Sequence, residues 1–220
     1  VVAGDRKLVG KEVIVPAVMP CNNCPICAAG RGNRCLNQKM PGNSLGIYGG
    51  FSNHIPVPAQ DLCVVKDREG FQLAELAVIA DAVTTPYQAC VRAGLKKGDY
   101  GVVVGVTGGV GRYVAQMAKA FGAKIVVGIG RDPEKLERAL KYGADYVINS
   151  SDKNENEVRN EFRELCKAYE LPSYGWIIFE ATGTGPGQAI ALNLLSFIGK
   201  LIVIGFGMQK NEFSISRLMA

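Results

Sequence analysis

The chain has 220 residues, of which 48% are hydrophobic and 20% charged, and its formal net charge at pH 7 is +5. This apolar content is sufficient for a buried core and predicts a globular protein. No apolar run is long enough to cross a bilayer, and the basic residues are spread along the chain, so neither a membrane span nor a nucleic-acid-binding patch is predicted.

Short β-prone runs, separated by Gly, Pro and Asn turns, occupy the chain up to about residue 85. Three of these runs are predicted as strands: EVIVP at residues 12–16, HIPVP at residues 54–58 and LCVV at residues 62–65. The sequence therefore predicts a first, β-rich domain over residues 1–85.

Four of the seven cysteines of the chain lie in one stretch, CNNCPICAAGRGNRC at residues 21–35. Disulfide scaffolds are typical of short secreted domains, and a ferredoxin-type iron–sulfur run needs its fourth cysteine after three residues rather than seven. A zinc finger needs a longer spacer between its two ligand pairs. The spacing instead predicts a closed structural zinc site with no open position for substrate. Its ligands would be Cys21, Cys24, Cys27 and Cys35.

Beyond residue 85, apolar β-prone runs alternate with segments of helical periodicity. Strands so continuously apolar are buried on both faces, which predicts an α/β fold with a doubly wound parallel sheet over residues 86–220. The predicted strands are residues 101–105, 125–128, 145–148, 176–179 and 201–205, and the predicted helices between them include residues 110–121, 133–141 and 155–169.

The first of these strands continues into GVTGGVG at residues 105–111 and then directly into a helix. Glycines at such a turn let backbone N–H groups approach a pyrophosphate at the positive end of the helix dipole. An ordinary strand-to-helix turn is the alternative, but the second strand that follows favours a dinucleotide site. Val106 stands where the first glycine of G-x-G-x-x-G usually does, and Gly105 could supply the turn instead. The predicted contacts are Gly105, Gly108, Gly109, Val110 and Gly111.

The end of the second predicted strand bears on the choice of cofactor. In VVGIGRDPEK the position that takes the ribose hydroxyls of NAD is Gly130, followed by Arg131 and Asp132. A glycine next to an arginine favours the 2′-phosphate of NADP, whereas Asp132 could still reach the ribose of NAD. These three residues leave both cofactors open.

Taken together, the four-cysteine stretch, ADAVTTPYQA at residues 80–89 and GVTGGVG resemble the zinc-dependent medium-chain alcohol dehydrogenase family. The resemblance covers essentially the whole chain. It implies a partial GroES-like catalytic domain over residues 1–85 and a partial Rossmann domain over residues 86–220.

Three phrases carry a narrower resemblance, to cyclic hydroxyacyl-CoA dehydrogenases of anaerobic aromatic degradation. They are PAVMPC at residues 16–21, QKMPGNSLGIYGGFSNHIPVP at residues 38–58 and ADAVTTPYQA. The substrate that this resemblance implies is an alcohol that carries coenzyme A, and the cofactor that it implies is NAD, with NADP as the alternative.

The family resemblance also implies a second, catalytic zinc ion. Its third protein ligand matches Asp81, and its two other ligands would precede Val1, so the chain is expected to be a fragment that does not oxidise alcohols. The alternative role of Asp81 is that of an N-cap for the helix that follows it. Thr85 matches a residue beside the nicotinamide, and its alternative role is in the turn before Pro86.

Two further segments match cofactor-lining positions of the family. Thr182 and Gly183 match the adenosine side, whereas Ile204, Gly205 and Phe206 match the segment that lines the nicotinamide. The alternative explanation is that Gly and Thr are common where strands of such sheets end.

The resemblance implies hydride transfer between an alcohol and a nicotinamide cofactor, in a cytoplasmic enzyme that is a homo-oligomer at full length. Two alternatives remain open at this point: a zinc-free quinone or enoyl reductase of the same superfamily, and a non-catalytic nucleotide-binding protein. The single histidine, His54, is predicted to be an ordinary strand residue, and Cys63, Cys90 and Cys166 are predicted to be small apolar core residues.

Overall fold

The computed structural model describes residues 1–44 and 49–218. It divides into two compact units, Val1–Asp81 and Ala82–Ala220. The predicted boundary after residue 85 lies slightly later than the division in the structure. No helix in the described residues is both long and apolar enough to span a membrane.

The first unit contains little regular structure in its described residues. Strand β1 (Val13–Ile14) pairs antiparallel with β2 (Cys63–Val64), and a short helix, α1 (Pro25–Ala28), lies between them in the chain. The predicted strand HIPVP is wrong, because residues 54–58 form no strand. Its prolines explain the error, since Pro56 and Pro58 have no N–H group to donate to a neighbouring strand.

The second unit is a parallel sheet with helices between its strands. The predicted α/β fold is confirmed. In chain order the elements are α2 (Thr84–Ala93), β3 (Tyr100–Val104), α3 (Gly109–Ala120), β4 (Ile125–Gly130), α4 (Pro133–Lys141), β5 (Tyr146–Asn149), α5 (Glu155–Ala168), β6 (Ile177–Glu180), α6 (Gly185–Leu194) and β7 (Lys200–Val203). The order of the strands across the sheet is β5-β4-β3-β6-β7.

Two apolar clusters cover the two faces of this sheet. Neighbouring residues of β3 point to opposite faces, so Val103 packs with α2, α3 and α4 while Val102 and Val104 pack with α5 and α6. All three valines are at most 2% exposed. Burial on both faces is the reason that these strands have no alternation of polar and apolar residues.

Side chains at the helix ends explain where several helices begin. Asp132 accepts a hydrogen bond from the backbone N–H of Lys135 at the start of α4. Asn154 and Glu157 form a capping box at the start of α5, and Thr184 caps α6. Because the strands run parallel, the loops that lead into α3, α4 and α6 meet at the carboxyl edge of the sheet.

Candidate functional site

The four clustered cysteines converge in the first unit. Their Sγ atoms all lie within 4.8 Å of one another, and in the described residues no other group of three or more Cys, His, Asp or Glu side chains is placed to hold a metal. The Sγ of Cys24 lies 3.5 Å from that of Cys27 and 3.9 Å from that of Cys35. Tetrahedral zinc with Zn–S bonds of about 2.3 Å separates its sulfur ligands by about 3.8 Å, so the donor set fits the ion.

Local sequence brings these sulfurs together. Cys24 is the residue before α1, whose first position is Pro25, and the chain then turns at Gly30 with a φ of +71°. A Cβ on Gly32 would lie 3.2 Å from the ring of Pro20, so the return segment packs closely on the incoming one. Cys35, the last ligand, is only 3% exposed.

The thiols of this cluster differ in acidity before any metal binds. The backbone N–H of Cys27 lowers the pKa of Cys24 to about 7, and that of Cys21 lowers the pKa of Cys35. Loss of hydration raises the pKa of Cys27 to about 11. Backbone N–H groups of Cys21 and Asn37 each lie 3.3 Å from the Cys35 sulfur and stabilise it as a thiolate.

Asp81 and Thr85 lie close in sequence at the boundary of the two units. Asp81 is exposed and follows a 3-10 helix at Glu75–Ala80. The N-cap position of α2 is Val83, two residues after Asp81. Thr85 is the second residue of α2 and is half-buried, rather than part of a turn before Pro86.

The glycine turn between β3 and α3 has the geometry of a close backbone approach. Gly105 has a φ of +91°, in the left-handed region, and therefore makes the turn. A Cβ on Gly111 would lie 2.0 Å from the carbonyl oxygen of Gly105, whereas one on Gly109 would meet nothing within 4 Å. The first N–H groups of α3 have no partner within the helix, which suits them to an anionic group.

Val106 departs from the usual glycine pattern for a structural reason. Its side chain is 1% exposed and points into the sheet, where a Cβ on Gly128 of β4 would lie only 2.8 Å from it. A glycine in the neighbouring strand thus makes room for the valine. The side chain of Val106 therefore does not obstruct the turn.

The three residues at the end of β4 have different surroundings. A Cβ on Gly130 would lie 2.6 Å from Cγ2 of Thr107, so the backbone there is closely covered. Arg131 is exposed. The carboxylate of Asp132 caps α4 and lies 3.1 Å from Nζ of Lys135, and the backbone N–H of Lys135 is the main cause of its lowered pKa. The helix start therefore already engages this carboxylate.

A cavity of about 350 Å³ adjoins the glycine turn between α3 and α4. Its walls include Thr107 from the turn and three cationic side chains, Arg112, Lys135 and Arg138. Lys135 and Arg138 also form ion pairs with exposed carboxylates of α4 and the residue before it. The lining is therefore rich in cations, two of which already have carboxylate partners.

The loops after β6 and β7 pack backbone against backbone. Gly183 has a φ of +65°, and a Cβ there would lie 2.2 Å from the carbonyl oxygen of Phe206. A Cβ on Gly205 would lie 2.1 Å from the amide nitrogen of Gly183. The methyl carbon of Thr182 in turn lies 2.8 Å from the Cβ position of Gly105. The structure thus brings the glycine turn and the Thr182–Gly183 and Ile204–Phe206 segments to one edge of the sheet.

Sequence reasoning missed Glu180, the last residue of β6. Its side chain is fully buried and its carboxylate accepts hydrogen bonds from the Thr182–Gly183 loop. The available signal was a single carboxylate at the end of the otherwise apolar run WIIFE.

Two predictions about single residues are wrong. His54 is exposed and lies in a loop, not a strand, where its carbonyl accepts a hydrogen bond from the Ser52 hydroxyl at 2.7 Å. Cys63 is exposed although it lies in β2. The prediction for Cys90 and Cys166 is confirmed, since both are buried, and burial raises the pKa of each thiol to about 11.

Comparison with known protein families divides the chain in a similar way. Residues 2–67 match the alcohol dehydrogenase GroES-like domain, and residues 109–220 match the zinc-binding dehydrogenase family. The four-cysteine cluster lies in the first match and the start of α3 opens the second.

Individual relatives agree with the family matches. An alcohol dehydrogenase from Geobacillus stearothermophilus is 34% identical over 142 residues, which cover 64% of this chain and 40% of that protein. An NAD-dependent alcohol dehydrogenase from Sulfurisphaera tokodaii is 31% identical over 159 residues, covering 68% and 45%. The crystal structure of an alcohol dehydrogenase from Aeropyrum pernix superposes with a TM-score of 0.79 at 25% identity, covering 95% and 58%. The chain thus spans about half the length of the curated relatives it matches.

Proposed function

Because the chain belongs to the zinc-dependent medium-chain alcohol dehydrogenase family, we propose that it serves hydride transfer between an alcohol and a nicotinamide dinucleotide. The observation that carries the proposal is the turn at Gly105–Gly111, where a side chain on Gly111 has no room and the space above Gly109 is open. This turn lies at the edge of the sheet where the Thr182 and Gly205 segments also meet.

The residues of this edge would bind and orient the dinucleotide. The N–H groups at the start of α3 would hold the pyrophosphate, and the Thr182–Gly183 and Ile204–Phe206 segments would border the two halves of the molecule. When bound, the nicotinamide supplies the hydride acceptor, and the protein's contribution is to position it.

The four cysteines would hold a structural zinc ion. Four thiolates fill a tetrahedral coordination sphere, so this ion has no position for an alcohol. Its role would be to stabilise the segment from Cys21 to Cys35, which has only short helical turns of its own.

A second zinc ion with an open position would supply the Lewis acid that lowers the pKa of an alcohol. Asp81 is the proposed ligand in this chain, since a carboxylate oxygen is an accepted zinc donor and the residue is exposed. Among the described residues it belongs to no group of three potential ligands, so the proposed ion would need further donors.

NAD is the proposed cofactor, because it is the cofactor that the narrower resemblance implies. A specific observation favours NADP as the second candidate: Asp132 is engaged in capping α4, and the cavity beside the turn is lined by cations. A 2′-phosphate would suit such a lining, whereas a ribose hydroxyl would need a free acceptor.

Titration of both dinucleotides into the wild type and Arg131→Ala tests this choice. We expect tighter binding of NAD and little change in its affinity in the variant. If NADP binds more tightly to the wild type and Arg131→Ala loses affinity for NADP alone, the cofactor is NADP. If neither dinucleotide binds, the proposed function is wrong.

The proposed substrate is a cyclic hydroxyacyl-CoA, as in 6-hydroxycyclohex-1-ene-1-carbonyl-CoA dehydrogenase of anaerobic aromatic degradation. Support comes from the three sequence phrases that resemble this enzyme, and from the net charge of +5, which favours an anionic substrate. Within the second phrase, residues 45–48 lie outside the described residues. Oxidation of the cyclic hydroxyacyl-CoA is to be compared with that of simple alcohols in the protein at its full length, for which we also propose a homo-oligomer. A preference for simple alcohols would contradict this assignment and leave the dehydrogenase proposal intact.

Metal analysis separates the dehydrogenase from its alternatives. Two zinc ions per chain in the full-length protein would support the dehydrogenase, and none would favour a zinc-free reductase. One zinc ion would favour a non-catalytic protein, because only the closed four-cysteine site would then be filled.

A further inference from the structure

Glu180 is a buried carboxylate whose hydrogen bonds are concentrated on one oxygen. The side chain is 0% exposed, and Glu180 and Asn193 are the buried polar or charged residues of the described chain. Oε1 accepts from the backbone N–H of Thr182 at 2.7 Å and from that of Gly183 at 3.0 Å. The hydroxyl of Thr182 also donates to it. One oxygen thus fixes the first two residues of the loop after Ala181.

The same residue also anchors the loop that follows β7. Its backbone carbonyl accepts from the N–H groups of Ile204, at 2.8 Å, and Gly205, at 3.0 Å. The second carboxylate oxygen, Oε2, lies 2.8 Å from the position that a Cβ on Gly205 would take. The carboxylate therefore lies between the two loops and contacts both.

The two loops also approach each other closely through their backbones. A Cβ on Gly205 would lie 2.1 Å from the amide nitrogen of Gly183, and a Cβ on Gly207 would lie 1.9 Å from the carbonyl oxygen of Gly183. These close approaches leave no room for a side chain at Gly205 or Gly207, so a displacement of Gly183 is expected to move Gly205 and Phe206 as well.

The hydrogen bonds extend from Glu180 to the next helix. The Thr182 hydroxyl lies 3.1 Å from that of Thr184, and the Thr184 hydroxyl accepts from the N–H of Gly187 in the first turn of α6. On the other side, the methyl group of Thr182 packs against Gly105 of the glycine turn. Glu180 is therefore connected to each of the segments that the proposed dinucleotide site comprises.

The second oxygen, Oε2, is buried and has no hydrogen-bond partner in the described residues. A buried carboxylate with one unsatisfied oxygen opposes folding, and an apolar residue would pack there without that cost. The contribution of the acidic side chain to this structure is therefore the three hydrogen bonds that Oε1 accepts from the loop.

We propose that Glu180 is a positioning residue for the dinucleotide, which holds the Thr182–Gly183 and Ile204–Phe206 loops in the arrangement that the cofactor meets. The inference rests on the proposed function, since it takes these loops to border the cofactor. Glu180 acts through the loop backbones and does not itself touch the cofactor.

The test compares Glu180→Gln and Glu180→Leu with Asn193→Leu as the matched control. Gln keeps an oxygen at the position of Oε1 and places its NH2 group where Oε2 has no partner, whereas Leu removes the acceptor. Asn193 is 4% exposed and donates to the carbonyl of Glu155, at 2.8 Å, and to the side chain of Asn156, both on α5. Its loss should lower the thermal midpoint without moving the loops.

We expect Glu180→Leu to weaken dinucleotide binding by about tenfold or more, because three donors lose their acceptor. Glu180→Gln should remain within about threefold of the wild type, and Asn193→Leu should bind as the wild type does. Hydrogen exchange at the Gly183 amide provides a readout that needs no cofactor: its protection should be lost in Glu180→Leu and kept in the other two variants. If Glu180→Leu does not fold, Thr182→Val replaces it. This variant removes the hydroxyl that donates to Glu180 and that also accepts from the N–H of Thr184, and its dinucleotide binding should be weakened.

Unchanged affinity in Glu180→Leu, or in Thr182→Val if the former does not fold, would overturn the inference. An equal loss of affinity in Asn193→Leu would also overturn it, since the effect would then follow stability alone. If the wild type binds no dinucleotide while its Gly183 amide is protected, the proposed function fails, and Glu180 is left with a structural role only.

Discussion

At the scale of single residues, the glycines of the turn after β3 have different roles. Gly105 supplies a positive φ, Gly111 allows the start of α3 to pass close to the carbonyl of Gly105, and Gly109 borders open space. The last two residues therefore form a natural pair, because the same added methyl group has no room at one and ample room at the other.

We predict that Gly111→Ala lowers the free energy of unfolding by about 2 kcal/mol or more, since its Cβ would lie 2.0 Å from a carbonyl oxygen. The displaced turn should also lose dinucleotide affinity. Gly109→Ala is the control and should leave stability unchanged or raise it by up to about 1 kcal/mol, because alanine favours a helix more than glycine does. Urea unfolding of both variants measures the difference, and equal stabilities would contradict the prediction.

At the scale of elements, side chains at the ends of helices and strands determine where the helices begin and how the loops at the carboxyl edge of the sheet are held. Asp132 is the N-cap of α4, and its carboxylate accepts a hydrogen bond from the helix start. The sequence predicts the same residue as one possible ligand of the cofactor ribose. The four-cysteine segment is another such element. Its helical turns, Pro25–Ala28 and Gly32–Arg34, are too short to be stable alone and require a cross-link.

Replacing one ligand should abolish zinc binding by this segment. We predict that Cys35→Ser removes the structural zinc and lowers the thermal midpoint, because zinc binding and local folding are coupled. Cys63→Ser is the control, since Cys63 is an exposed cysteine outside the cluster, and it should leave both quantities unchanged. Zinc content by atomic absorption, together with thermal unfolding, checks the prediction. Retention of zinc by Cys35→Ser would refute the proposed ligand set.

At the scale of the whole molecule, the two units differ in how much regular structure they contain. The second unit has its core on both faces of a five-stranded sheet, whereas the first has one two-stranded pair in its described residues. Apolar side chains are also exposed around β7, including Val203 at 61%, Phe197 at 69% and Ile198 at 72%. In the part of the chain that the structure describes, no strand pairs with the outer edge of β7, and such edges favour association.

The 220-residue chain is predicted to bind one zinc ion and to oxidise no alcohol by itself. Among the described residues Asp81 belongs to no group of three or more potential ligands, which is what a catalytic zinc ion needs from the protein. Without a Lewis acid the barrier rises by several kcal/mol. Zinc content and nicotinamide absorbance with a cyclic hydroxyacyl-CoA measure the two outcomes, with a known alcohol dehydrogenase as positive control. Turnover comparable to that control would overturn the role proposed for Asp81.

The order of elements in the second unit could be predicted from the sequence, because long apolar runs and helical periodicity are local patterns. The predicted strand at residues 145–148, for example, is Tyr146–Asn149 in the structure. Predictions for the first unit were less accurate, since HIPVP has the composition of a strand while its prolines prevent regular pairing. The four-cysteine cluster was predictable from spacing alone, because metal ligands close in sequence need only a short turn to converge.

The sequence by itself determined the parallel α/β unit, the position of the glycine turn and the cysteine set, since each depends on neighbouring residues. Only the tertiary structure decided that Val106 fits because Gly128 lies in the next strand. It also revealed that Glu180 lies between two loops that are more than twenty residues apart in the chain. The physical reason is that close packing and hydrogen bonding depend on atoms brought together by the fold, which no local pattern records.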